Sequence, residues 1–192
     1  MRYMLVIAML VLSLNRPLAA GETLVLIDDF RAQRSALGTS WQGFTDRVMG
    51  GLSDMQAGYR EKEGSTVLAV TGQVRLENNG GFIQVRLPLD PGGNLLDVSQ
   101  FEGIRVSARA IKPGAYYIHL RSADTRRPWS YYRAPLELGQ DWAEIDLPWS
   151  AFEPRSLHRP LDPSRLLSVA VVAYGAAFDA ELEIRSLAWL AR

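Results

Sequence analysis

Short stretches in which apolar and polar residues alternate make up much of this chain. Residues 67–71, 82–87, 103–110, 117–121 and 142–147 all follow this period of two. Because successive side chains of a strand point to opposite faces, each stretch predicts a β-strand with one buried face. Residues 168–174 are continuously apolar and rich in valine, which predicts a central strand. Residues 182–189 alternate again, slightly out of phase at their end.

Glycine and proline separate these predicted strands. Residues 78–81 (NNGG) and 91–94 (PGGN) are strong turn signals. No stretch of a dozen residues has convincing helical periodicity, and only residues 31–37 and 163–167 suggest short helices. Many short strands joined by turns predict an all-β fold, either a sandwich or a jelly roll.

The first twenty residues have the order of a secretory signal peptide. A positively charged start at Arg2 precedes an apolar run at residues 4–14, and small residues follow at Ala19, Ala20 and Gly21. The run is shorter than the roughly 20 residues that span a bilayer, and no second stretch approaches that length. We expect a signal peptide at 1–20, a single periplasmic domain at 21–192 and no membrane span in the mature chain. An uncleaved N-terminal anchor is the alternative.

Composition excludes several kinds of site. The 192 residues contain no cysteine, so disulfides, thiolate metal sites and a cysteine nucleophile are ruled out. Lys+Arg and Asp+Glu both number 21, and this balance does not support a basic surface for nucleic acid.

The two histidines do not indicate catalysis. His119 lies in an alternating segment and shares a face with Tyr117 and Arg121, which favours a hydrogen-bonded strand histidine. His158 lies in a loop beside Arg159, where solvation is expected. The chain has no G-x-S-x-G elbow, so we predict no catalytic residue and no enzymatic activity.

Four aspartates raise the question of a calcium site. Asp28, Asp29, Asp46 and Asp54 are hard oxygen donors, but no loop has the alternating ligands of an EF-hand. Aspartate is common in turns because it forms local hydrogen bonds, and this role is favoured. No metal or cofactor is predicted.

Two glycine pairs lie beside aromatic residues. Gly50-Gly51 follows Trp41 and Phe44, while the second pair directly precedes Phe82. Paired glycines allow close backbone approach or positive φ. They indicate strand corners or, as a less favoured alternative, a ligand site. They are not a nucleotide loop, because the G-x-x-x-x-G-K-S/T pattern is missing.

The segment 124–133 (DTRRPWSYYR) combines aromatic rings with arginines. Such a set is suited to a sugar ring or to a protein surface. Along a strand, Tyr131 and Arg133 would face one way and Tyr132 the other, so part of the set is core. Across the chain, the candidate ligand- or partner-binding residues are Asp46, Asn78, Asn79, Arg121, Trp129, Tyr131 and Tyr132.

Several motifs in one order resemble the complex I intermediate-associated protein 30 family. They are DRVMGGLS, ENNGGFIQVR, DVSQFEGIRV, YYIHLRS and WAEIDLPWSAFEP, and the likeness spans about residues 30–190. The motif residues carried across are Trp41, Asp46, Met49, Gly50, Gly51, Ser53, Asn79, Gly80, Gly81 and Phe82. The resemblance implies a galactose-binding-like jelly-roll β-sandwich of two antiparallel sheets, related in shape to carbohydrate-binding modules.

The mitochondrial relative in that family is a complex I assembly factor that acts by protein contact. An exported copy would lie on the opposite side of the membrane from the arm that oxidises NADH, so a direct role in building that arm is not expected. The resemblance implies a non-catalytic protein-binding, assembly-factor-like module of the bacterial envelope with a protein partner. The alternative is a carbohydrate-binding module with a glycan ligand.

Overall fold

Two antiparallel β-sheets stack around one apolar core in the computed structural model, which describes residues 25–32 and 34–191. The strands are β1 Val25–Asp28, β2 Gln42–Thr45, β3 Asp54–Lys62, β4 Ser65–Val74, β5 Phe82–Pro88, β6 Gly103–Ala110, β7 Tyr116–Ser122, β8 Tyr131–Leu136, β9 Ala143–Pro148, β10 Glu153–Arg155, β11 Leu166–Tyr174 and β12 Phe178–Leu190. Short 3₁₀ helices occupy Asp46–Met49, Glu77–Asn79, Trp149–Ala151 and Pro163–Arg165. The predicted signal peptide lies outside the described residues.

Each sheet has six strands. The first has the order β3-β4-β12-β6-β9, with β1 also pairing β12, and the second has the order β10-β8-β7-β11-β5-β2. Alternate residues of both sheets enter the shared core, for example Leu68 and Val70 from one sheet and Ile83 and Val85 from the other. This architecture confirms the all-β jelly-roll sandwich that the alternating pattern predicts.

The predicted strands coincide with β4, β5, β6, β7, β9, β11 and β12. The phase slip expected near the chain end corresponds to a register shift between Ile184 and Ser186, where β12 pairs with β6. Such a bulge moves the following side chains to the opposite face, so the alternation resumes out of phase.

One of the two predicted short helices is wrong. The described part of residues 31–37 forms bends and turns, because Ala36 donates its backbone N–H to Ile27 O (3.0 Å) and Ser35 donates to Thr39 O (2.9 Å). These bonds attach the segment to β1 and close a tight turn. The prediction for residues 163–167 is confirmed as a 3₁₀ helix at Pro163–Arg165, capped by Asp162. Among the residues that the structure describes, no helix is long and apolar enough to cross a bilayer.

Candidate functional site

A trough runs along β11 on the outer face of the second sheet. Here β11 presents Ala170 and Val172, which are small, while the neighbouring strands present larger side chains. Ala170 lies opposite Arg86 of β5 and His119 of β7. Because directly opposite residues of a sheet share a face, the small side chains form the floor and the large ones form the walls.

The trough opens into a cleft of about 450 Å³. Its lining comes from six strands and four connecting segments: Phe44, Val48, Met49, Asn79, Gly80, Phe82, Gln84, Arg86, His119, Arg121, Pro128, Trp129, Tyr131, Arg155, Ser156, Val172 and Tyr174. Beneath the segment that carries Pro128, the cleft deepens into a more enclosed recess of about 60 Å³. The larger volume falls in the range of small-molecule binding sites.

Packed rings form one wall of the cleft. The His119 and Tyr131 rings are stacked, with centroids 4.1 Å apart and an interplanar angle of 13°. Tyr174 meets both rings edge-on, at 6.1 Å from His119 and 6.4 Å from Tyr131. Burial and a hydrogen bond with Tyr174 raise the pKa of Tyr131 to about 12, so this phenol stays protonated.

His119 carries an unused polar atom at the bottom of this wall. The side chain is only 7% exposed, and its buried Nε2 has no hydrogen-bond partner among the described residues. Burial and, to a smaller extent, the charge of Arg133 lower its pKa to about 3, so the imidazole is neutral at physiological pH. A buried imidazole nitrogen without a partner is costly unless a ligand or water supplies one.

Two arginines face the recess. The buried Nε of Arg86 also has no partner among the described residues, and the Arg86 guanidinium lies 4.6 Å from the Phe44 ring centroid. Burial lowers the pKa of Arg121 below its usual value, and the charge of the nearby Arg86 lowers it further. None of the described residues lining the cleft is an aspartate or a glutamate. The cleft therefore holds positive charge without a carboxylate to balance it.

Arg121 also braces the loop that covers the recess. Its Nη2 donates to the carbonyl oxygens of Thr125 (2.5 Å) and Arg127 (3.1 Å), and its Nε donates to Thr125 Oγ1 (3.3 Å). This loop carries Trp129, whose side chain lies at the mouth of the cleft and is 59% exposed. A large ring held at that exposure is free to contact a ligand.

The opposite rim is organised by the buried carboxylate of Asp46. Ser53 donates its backbone N–H to Oδ1 (2.9 Å) and its hydroxyl to Oδ2 (2.5 Å). Gly81 and Phe82 donate their backbone N–H groups to Oδ2, at 2.6 and 3.3 Å. Burial raises the pKa of Asp46, but these hydrogen bonds outweigh it and hold the pKa below its ordinary value.

The glycines of both motifs make this arrangement sterically possible. A Cβ on Gly51 or Gly80 would overlap the Asp46 carboxylate. Gly50, at φ +90°, ends the 3₁₀ helix in the left-handed region, where glycine is favoured. The two motifs therefore join through one carboxylate. The loops that they form carry the rim residues Met49 and Asn79.

The predicted binding residues divide into two groups. Asn79, Arg121, Trp129 and Tyr131 all line the one cleft. The other three, Asp46, Asn78 and Tyr132, do not line it. Asp46 and Tyr132 are fully buried, and Asn78 is exposed and donates its Nδ2 to Gly50 O (3.2 Å). Tyr132 faces the core because it lies one residue out of phase with Tyr131.

The remaining motif residues have mixed placements. Trp41 packs against the core and donates Nε1 to Asp28 Oδ2 (2.8 Å), while Ser53 is fully buried. Met49 and Phe82 line the cleft.

Sequence reasoning did not select several residues that line the cleft: Phe44, Gln84, Arg86, His119, Arg155 and Tyr174. The sequence signal that could have found them is the polar half of the alternating pattern in each strand. Gln84 and Arg86 alternate with the core residues Ile83 and Val85, so both must face outward. The alternation within each strand does not predict which outward residues of different strands lie side by side.

The sequence matches the family described as "Complex I intermediate-associated protein 30 (CIA30)" over residues 29–177. This chain belongs to that family. The match covers both glycine motifs and every strand that lines the cleft.

The fold of this CIA30 family member is similar to that of solved carbohydrate-binding modules. The family 11 module of the cellulosomal cellulase Lic26A-Cel5E from Clostridium thermocellum matches with a TM-score of 0.69 and 14% identity, covering 90% of this chain and 97% of that one. The family 11 module in complex with a β-1,3-1,4-mixed-linked tetrasaccharide matches with a TM-score of 0.66 and 14% identity, covering 88% and 95%.

The family 30 module of the cellulase Cel9D-Cel44B from the same organism matches with a TM-score of 0.61 and 14% identity, covering 88% of this chain and 98% of that one. At this identity the likeness establishes the fold alone. A comparison with curated proteins found no significant match.

Proposed function

We propose that this protein is a non-catalytic binding module of the cell envelope and that its cleft holds a glycan chain. The observation that carries the proposal is the 450 Å³ cleft on the outer face of the second sheet, with aromatic rings on its wall and at its mouth. An open cleft along a sheet face admits part of a long polymer without enclosing its ends.

The chemistry of the lining suits a sugar. Tyr131, Tyr174 and Trp129 offer flat apolar faces for the C–H surface of a pyranose ring. Gln84 and Asn79 are planar amides that can both donate to and accept from hydroxyl groups. The solved family 11 module in complex with a mixed-linked tetrasaccharide supports the same reading by fold analogy.

The absence of acid–base machinery from the cleft lining supports a role without catalysis. Glycoside hydrolysis generally uses two carboxylates that flank the scissile bond, and no aspartate or glutamate is among the described residues that line the cleft. The histidine there, His119, stacks on Tyr131 and is held neutral without a carboxylate to orient it.

Replacing the cleft aromatics is expected to weaken glycan binding. Trp129→Ala and Tyr131→Ala should each raise the Kd by about tenfold, the loss usual for an aromatic anchor. Affinity electrophoresis and titration calorimetry against a panel of neutral and acidic polysaccharides measure the change. Tyr59→Ala, an exposed tyrosine on the edge strand β3 of the other sheet, is the matched control and should leave the Kd unchanged. Failure of the wild type to bind any polysaccharide in the panel rejects the proposal.

A protein partner is the second candidate. It is favoured by exposed apolar side chains in the two motif loops at the rim: Val48 (72% exposed), Met49 (60%), Leu76 (50%) and Leu52 (40%). Exposed clusters of this kind mark protein contacts in other proteins. In this reading the protein is an assembly-factor-like module, as its family description suggests.

Different variants distinguish the glycan ligand from the protein partner. Val48→Ser with Met49→Ser should abolish photo-crosslinking of one reproducible protein from position 52 if a protein partner docks there. Loss of glycan affinity in Trp129→Ala with unchanged crosslinking identifies two surfaces. No reproducible crosslink from position 52 rejects the protein partner.

The envelope location rests on the predicted signal peptide at residues 1–20. Expression of the full chain should yield a periplasmic product that begins at Gly21, as read by intact mass. Deletion of residues 2–20 should leave the protein in the cytoplasm. A periplasmic product of full mass would instead indicate the uncleaved anchor.

A further inference from the structure

We propose that the glycan held by the cleft is acidic, and that the recess under the Pro128 segment receives the carboxylate of a uronic acid unit. This inference rests on the proposed glycan-binding function and adds the charge of the ligand. Gln84, Arg86, His119, Arg121 and Tyr131 line the recess on several sides.

The recess offers polar atoms that have no hydrogen-bond partner in the described part of the chain. Arg86 Nε and His119 Nε2 are both buried atoms without a hydrogen bond among the described residues. His119 as a whole is more than nine-tenths buried. Two unpartnered polar atoms in one recess indicate that a bound group completes their hydrogen bonds. A carboxylate accepts from both when the neutral His119 carries its proton on Nε2.

The positive charge of the recess indicates that the bound group is negatively charged. Arg86 and Arg121 are close enough for the charge of Arg86 to act on Arg121, and the hydrogen bonds of the Arg121 guanidinium go to the loop residues Thr125 and Arg127 rather than to a carboxylate. An anion between the two guanidinium groups would relieve their repulsion. Guanidinium also binds carboxylate in a planar, often bidentate, geometry.

The arginines on the outer face of the first sheet are arranged differently, so arginines without a nearby carboxylate are not a general feature of this protein's surface. Its partly buried outward arginines lie beside carboxylates: Arg105 and Asp146 are 2.6 Å apart, Arg109 and the buried Glu183 are 2.8 Å apart, and Arg185 and Glu63 are 3.8 Å apart. Arg185 Nε is also buried without a hydrogen-bond partner among the described residues, but its guanidinium lies near Glu63 and over the Trp142 ring. What distinguishes the cleft is that no carboxylate among its described lining residues balances its arginines.

The size of the recess favours a carboxylate. Its volume of about 60 Å³ is about that of two water molecules in the liquid, which suits one planar group rather than a sugar ring. The ring itself would lie above, in the 450 Å³ cleft beside Tyr131 and Tyr174.

Polygalacturonate and its fully methyl-esterified form test the inference, because they share a backbone and differ in charge. Wild-type protein should bind the acid at least about tenfold more tightly than the ester, and the difference should shrink as salt rises from about 0.05 to about 0.5 M, because salt screens charge interactions over this range. Arg86→Gln should remove most of the preference for the acid, because it weakens binding of the acid more than binding of the ester. Arg86→Lys should restore part of it, since it keeps the charge but not the planar fork.

Arg60→Gln on the exposed edge strand β3 controls for a general loss of one positive charge and should retain the full preference. Thermal unfolding verifies that each variant is folded, and Arg155→Gln at the rim provides a second, exposed probe of the same charge. Equal binding of acid and ester, with Arg86→Gln silent, overturns the inference and leaves glycan binding intact. Binding of neither these polymers nor the wider panel rejects the proposed function itself.

Discussion

Asp46→Ala is expected to destabilise the protein by about 3–5 kcal/mol, because it leaves a set of buried donors without their acceptor. The backbone N–H groups of Ser53, Gly81 and Phe82 and the Ser53 hydroxyl all donate to this carboxylate. A domain of ordinary stability has only about 5–15 kcal/mol in total, so the loss removes a large share. Urea denaturation followed by tryptophan fluorescence measures it.

Asp141→Ala is the matched control, because Asp141 is exposed and should change the free energy of unfolding by less than about 0.5 kcal/mol. Asp46→Asn should fall between the two, since Oδ2 accepts three of the hydrogen bonds and an amide supplies only one oxygen. If Asp46→Ala unfolds at the wild-type urea concentration, the carboxylate does not hold the two motif loops together.

The free energy of unfolding should fall as the pH drops from 7 to 5, and His119 should contribute about 2 kcal/mol of that loss. In the folded protein the pKa of His119 is lowered to about 3, whereas its ordinary value is 6.5. The unfolded chain therefore binds a proton at His119 between these values and the folded chain does not. This contribution is fully present above pH 6.5 and is lost progressively as the pH falls toward 3.

Urea titrations at pH 7, 6 and 5 measure the slope, and His119→Phe isolates the contribution of this residue. Phenylalanine keeps a ring against Tyr131 but cannot be protonated, so the variant should lose less stability between pH 7 and 5 than the wild type. His158→Phe, in an exposed loop, is the control and should retain the wild-type slope. Equal slopes for wild type and His119→Phe would show that the imidazole is already charged or solvated in the folded state.

Much of the sandwich follows from local pattern. Strands β4 to β7 and β11 alternate or are continuously apolar, and their core residues, such as Ile83 and Val85, are those of the apolar phase. The pattern did not predict β1, β2, β3, β8 or β10, and β3 is the longest of these. It is exposed along nearly its whole length at a sheet edge. It buries no face, so it leaves no alternation in the sequence.

The candidate site was predictable only in part. Trp129 and Tyr131 were selected because aromatic and arginine residues cluster in one segment, and both line the cleft. Tyr132 belongs to the same cluster but packs in the core, and Asp46 supports the rim from below. Arg86 was not singled out, and His119 was interpreted as a hydrogen-bonded strand histidine, because each is an ordinary outward residue of its own strand.

The sequence by itself determined the strand class, the outward phase of each strand and the family, because these depend on residues close together in the chain. Only the tertiary structure decided that Arg86 and His119 flank Ala170, and that one carboxylate joins loops 35 residues apart. Antiparallel register between distant strands selects those neighbours. The alternation within one strand fixes which of its faces is buried, but the pairing of strands far apart in the chain also depends on how the whole core packs.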